Sequence, residues 1–130
     1  MVLNDSKSLL RGAIALMWWV SGLLPLVPSV QLRALHELSL VGLTGASAVA
    51  FMAIAMFLDV ACGVCAWWVN RAWVWWAQVA LVTTYTLILS VSHAQLWLDP
   101  FGALLKNLPI IALMVYMAQT TKMTNIDTRR

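Results

Sequence analysis

Charge is scarce in this chain. Lysine and arginine number eight and the acids five, together 10% of 130 residues, where a soluble domain carries roughly 25%. So few charges cannot coat a water-facing surface, which excludes a soluble enzyme of ordinary composition. No basic run is interleaved with aromatics, so nucleic acid is not an expected partner. The net charge of +3 is small and reflects loop asymmetry. Two cysteines are too few for a disulfide framework or a multi-cysteine relay. No nucleophile triad, phosphate loop or metal-ligand spacing occurs.

Apolar sequence fills the place of the missing charge, at 62% of residues. It falls into runs long enough to cross a bilayer, which takes about 20 residues. The first run is Ser8–Pro28, the second Thr44–Trp68 and the third Ala72–Ser92. The fourth must be assembled as 100–121. Pro109–Thr121 alone, about 20 Å of helix, is too short. That extension puts Asp99 at the cap, Pro100 in the first turn, and Pro109 inside the helix as a kink. Between the first two spans, Ser29–Val41 spaces Leu32, Leu35 and Leu38 or Leu40 at near-helical intervals among Arg33, His36 and Glu37. It reads as a short interfacial amphipathic helix capped by Ser29. The expected architecture is therefore all-α: one transmembrane four-helix bundle over residues 1–130, with an interfacial helix and a Pro-kinked fourth span. The first run shows no A-x-A cleavage site and is read as a span. Lys7, Arg11, Arg71, Lys122, Arg129 and Arg130 fall on one side, Arg33 and Lys106 on the other. Positive charge favours the cytoplasm, so cytoplasmic termini are expected. Trp67, Trp68, Trp73, Trp75 and Trp76 gather near the 70–71 turn as an aromatic belt.

Within this apolar chain the polar residues are the informative ones. Asp59 is the lone charge of the second span, and an acid at that depth costs about 2.5–3.5 kcal/mol on insertion scales. It should face the bundle interior, on the stripe of Gly45, Ala48, Ala55, Cys62, Gly63 and Ala66 that lets helices approach closely in lipid. Counting 1.5 Å per residue from the span ends puts Trp18, Trp19, Thr83, Thr84 and Tyr85 near its level. Arg11 lies about 10 Å lower by the same count. This cluster reads either as packing glue or as a protonatable site. A second polar group collects at the opposite mouth: His93, Trp97, Asp99, Lys106 and Asn107, with Glu37. Lys106 either snorkels to the headgroups or helps to bind a quinone carbonyl or polar lipid head. Cys62-Gly63-Val64-Cys65 resembles the C-x-x-C of vitamin K epoxide reductases and of bacterial disulfide-forming membrane enzymes. Here it lies mid-helix with no basic neighbour to favour the thiolate.

The run Leu96-Trp97-Leu98-Asp99-Pro100-Phe101-Gly102, followed by Leu105-Lys106-Asn107-Leu108-Pro109, resembles the signature of DoxX-like membrane proteins. Arg11, Trp18 and Gly22-Leu23 in the first span, and Leu58-Asp59 with Gly63 in the second, match the same pattern. The resemblance covers roughly residues 8–120 and implies a four-helix membrane bundle. Asp59, Trp97, Asp99, Lys106 and Asn107 match family positions. Relatives occur alone or joined to NAD(P)-binding sugar-epimerase-like domains, and more distant DoxX proteins are subunits of thiosulfate:quinone oxidoreductases. With no Rossmann segment in these residues, direct nicotinamide chemistry is not expected, and the C-x-x-C is not part of the pattern.

The expected protein is thus a small integral protein of the bacterial inner membrane. Its expected role is that of a non-catalytic subunit holding a quinone or lipid, in contact with the bilayer and with a redox partner or further copies of itself. The competing expectation is a quinone-linked thiol oxidoreductase cycling Cys62 and Cys65. A transporter ranks third, because the chain lacks the matched interrupted halves such folds use.

Overall fold

The structure, a computed structural model, describes residues 2–69, 71–92, 98 and 104–127, with side chains for 6–69, 71–91, 98 and 104–121. Every regular element among these is helical. The chain divides into two compact units, Met1–Val69 and Asn70–Arg130. Among the described residues, three helices are long and apolar enough to cross a membrane: Ser6–Leu26, Gly45–Trp68 and Ala72–Val91.

In the first unit, α1 spans Val2–Leu23 and runs into a 3₁₀ turn, Leu24–Leu26. Helix α2 follows at Pro28–Leu40, and α3 at Gly45–Trp68. The expected first span ran unbroken to Pro28, with Ser29 capping the next helix. Instead Val27 is the N-cap and Pro28 opens α2, with no side-chain cap. Proline suits that position, because an N–H there has no intrahelical partner to lose. Gly42 and Gly45 provide the tight turn into α3 with positive φ angles of 87° and 60°, which only glycine adopts at little cost. No residue of α2 is buried.

Helices α1 and α3 pack along stripes set by the helical period. On α1 the buried positions are Ile14, Ala15, Trp18 and Gly22, on α3 Ala48, Met52, Gly63 and Ala66. The small residues are where the backbones meet. A Cβ added to Gly12 would touch Trp67, and one on Gly22 would touch Met56, Asp59 and Val60. One end of α1 thus lies by the far end of α3, so the two run antiparallel. In lipid no hydrophobic force draws helices together, and this close contact supplies the attraction instead.

The second unit pairs α4, Ala72–Ser92, with α5, Asn107–Asp127. The third expected span is reproduced as α4. The fourth is not reproduced as written: residues 104–106 form a turn and the helix starts at Asn107. Pro109 consequently occupies the first turn of α5 rather than its interior. Interior proline costs about 3 kcal/mol because it removes one hydrogen bond and clashes with the carbonyl four residues earlier. Starting the helix two residues before Pro109 avoids both penalties. The proposed Asp99 cap and Pro100 first turn lie outside the described residues. On α5 the buried stripe is Met114, Met117, Ala118 and Thr121, spaced by three and four as a single packed face requires.

Candidate functional site

Asp59 is half-buried on the stripe of α3 that meets α1. Its neighbour across the interface is Gly22: a Cβ built there would stand 3.1 Å from the Asp59 Cβ. Oδ1 of Asp59 is buried and accepts no hydrogen bond. The depth count sets Trp19 at this level. The helix register puts Gly22 there, and the Trp19 indole reaches Gly63, one turn further along α3. The difference arises because α1 starts at Val2, so Ser8 and Trp68 do not mark a common origin. Helical side chains also lean toward the N-terminus of their own helix, which carries the Trp19 ring toward the end of α3.

Arg11 has a different task from reaching up to Asp59. Four carbonyls at a helix C-terminus lack intrahelical partners. At the end of α3, Cys65 O accepts from Val69 N at 2.9 Å. Ala66 O accepts from Arg11 Nε at 3.1 Å, and Trp67 O accepts from Arg11 Nη2. A cation at this end also complements the helix dipole. Trp19 lies against both Trp67 and Trp68, with ring centroids 6.5 and 6.3 Å apart. The sequence displayed Arg11 and the tryptophans but not the register that joins them.

Cys62 and Cys65 are half-buried thiols on α3 that form no disulfide, with Cys62 three residues from Asp59. No group of three or more His, Cys, Asp or Glu able to hold a metal occurs among the described residues.

In the second unit Asn107 is tied down. Its Nδ2 donates to Thr86 Oγ1 at 2.9 Å, and Thr86 Oγ1 in turn donates to Val82 O at 2.8 Å. The first residue of α5 is thereby held against α4. Thr86, absent from the expected set, is the buried partner that makes Asn107 a positioning residue. A hydroxyl at the same helical stripe as Gln78 and Val82 was the available signal. Thr84 is exposed and donates to Ala80 O, and Tyr85 is half-buried on the same helix. Lys106 is exposed in the turn just ahead of α5. Glu37 is exposed on α2, in the first unit. His93, Trp97 and Asp99 lie outside the described residues. The structure thus brings Arg11 and Trp19 together at the end of α3 and sets Asn107 beside Lys106.

A model of the DoxX-like family matches residues 15–115. That stretch holds Asp59, both cysteines and every residue of the expected mouth, but not Arg11. No curated protein and no solved structure matches the chain.

Proposed function

The chain belongs to the DoxX-like family, and from that premise we propose that this small membrane protein is a non-catalytic subunit that holds a quinone or a polar lipid head for a redox partner. The supporting observation is Lys106, exposed on a turn directly before a helix start that Asn107 anchors to Thr86. A lysine in that place offers a cationic donor next to a fixed helix start. Residues 93–103 adjoin it in sequence and carry His93, Trp97 and Asp99, which would add aromatic surface and polar groups. An apolar ring with carbonyl oxygens, or a lipid head, suits that combination.

The proposal takes α5 as a fourth span. The apolar part of α5, residues 108–118, is too short by itself to cross the hydrocarbon, so the proposed crossing takes in the residues back to 100. Helix α2, with no buried residue, then lies along the interface. Four crossings put both termini and the Arg71 turn on one face, and the distribution of lysine and arginine makes that face cytoplasmic in a bacterial inner membrane. In a single-cysteine background, a thiol introduced at Thr128→Cys should resist a membrane-impermeant maleimide applied from the periplasm. Labelling from that side would reverse the orientation.

Lys106→Met tests the binding reading, with a short-chain ubiquinone as the probe. The variant should assemble in detergent as the parent does, because Lys106 is exposed. Its retention of the quinone after gel filtration should fall by tenfold or more, as the loss of a charged hydrogen bond of about 1.5–3 kcal/mol implies. Equal retention would show that the lysine only reaches for headgroups.

A further inference from the structure

The end of α3 gathers cationic and aromatic side chains. We propose that Lys7 and Arg11, with the exposed rings of Trp67 and Trp68, form a site for the phosphate of an anionic phospholipid.

The geometry starts with Arg11. Nε and Nη2 share one edge of the guanidinium, and both donate to the last turn of α3, to Ala66 O and Trp67 O. Guanidinium carries five N–H donors. The opposite edge, with Nη1 and the second Nη2 hydrogen, keeps the forked geometry that matches a phosphate. The two carbonyl bonds hold this fork still, so a ligand need not immobilise it.

Lys7 precedes Arg11 by four residues on α1 and therefore shares its face. It lies about 6 Å further along the axis, beyond the point where α3 ends. The acids with described side chains lie elsewhere: Glu37 is on α2, and Asp59 is eight residues, about 12 Å, up α3. Among the described side chains, two cations thus meet at one helix end with no acid beside them.

Depth and aromatic surface select a lipid over a soluble anion. Helix α3 is a candidate span that ends at Trp68, so Arg11 reaches it where hydrocarbon gives way to headgroups. Trp67 and Trp68 are 47% and 65% exposed, and the Trp19 ring backs both of them. Indoles at that level present an apolar face to acyl chains and an N–H to the headgroup region. A phosphate on the Arg11 fork would leave its glycerol and first methylenes against these rings. Both cations precede residue 15, where the family match begins.

The test uses the full chain in phosphatidylcholine vesicles, titrated with brominated phosphatidylglycerol or brominated phosphatidylcholine while tryptophan emission is followed. The anionic lipid should quench more strongly at equal mole fraction, and the excess should saturate. Trp67→Phe should remove much of that excess, placing it at this helix end. Lys7→Gln, a change on α1 seven residues before the first buried position of the packed stripe, Ile14, should weaken the apparent affinity for phosphatidylglycerol about fivefold, as one cation near a membrane surface implies. Arg11→Lys keeps the charge but loses the fork, and should weaken it as well. Arg33→Gln removes the same net charge from α2, near the other end of α3, and should leave the preference unchanged. Equal quenching by the two lipids would overturn the site, as would an excess that survives Lys7→Gln. An equal loss in Arg33→Gln would also overturn it, by reducing the effect to bulk charge.

Discussion

Alanine at Gly22 should separate α1 from α3, at a cost of about 2–3 kcal/mol. The added Cβ would stand 2.9 Å from the Met56 carbonyl oxygen and 2.9 Å from Val60 Cγ2. A backbone carbonyl within a helix cannot step aside, so the whole helix must shift, and overpacking of this kind costs 1–3 kcal/mol. In lipid the shift also loses the close contact that holds the pair. The other glycines of the interface set the scale. Gly63→Ala meets the Trp19 indole, a side chain that can turn but is backed by Trp67 and Trp68, so an intermediate loss is expected. Gly12→Ala meets only the far edge of the Trp67 ring at 3.2 Å. It also gains about 1 kcal/mol of helix propensity, and should be close to neutral. Thermal unfolding in detergent should rank the three as Gly22, Gly63, Gly12, from most to least damaging. A Gly22 variant as stable as the Gly12 variant would mean that the helices do not meet at this point.

The same interface shows what sequence reasoning reaches and where it stops. Hydropathy located α3 and α4 nearly to the residue, because Thr44–Trp68 and Ala72–Ser92 are bounded by turn residues and by Arg71. It could not bound α1 or α5, where proline decided. Hydropathy makes Pro28 an ending and Pro109 a kink, yet both sit in first turns, where proline costs least. The small-residue stripe pointed to the face of α3 that packs, since three- and four-residue spacing is visible in one dimension. Register between two helices is not. It depends on which glycine admits which neighbour, and that is why Gly22 lies beside Asp59, and why Arg11 ends on carbonyls of α3. The expected mouth is legible only in part: Lys106 and Asn107 stand at the start of α5, Asn107 bound to a Thr86 that no motif singled out.

Asp59→Leu should be better inserted than the parent and at least as stable. Leucine reproduces the branched outline of aspartate, so the contact of its Cβ with Gly22 is retained while two oxygens become methyls. Insertion scales put aspartate at the centre of a span near +2.5–3.5 kcal/mol and leucine near −0.3 to −0.6, a gain of about 3–4 kcal/mol. Against this stands whatever the carboxylate receives from its surroundings, and Oδ1 accepts no hydrogen bond. Replacing a polar group that has little to lose by an apolar one of the same shape is neutral or stabilising, whereas removing one partner of a satisfied pair costs about 1–3 kcal/mol. The two cases therefore differ in sign. Glycosylation-based insertion of the isolated Gly45–Trp68 segment would measure the first quantity, and unfolding of the whole chain in detergent the second. Gains in both would mean that the fold does not need its acid, leaving Asp59 to serve a proton or a ligand. A gain in insertion with a loss of about 1–3 kcal/mol in unfolding would mean that Asp59 holds donors in the folded chain and belongs to its architecture.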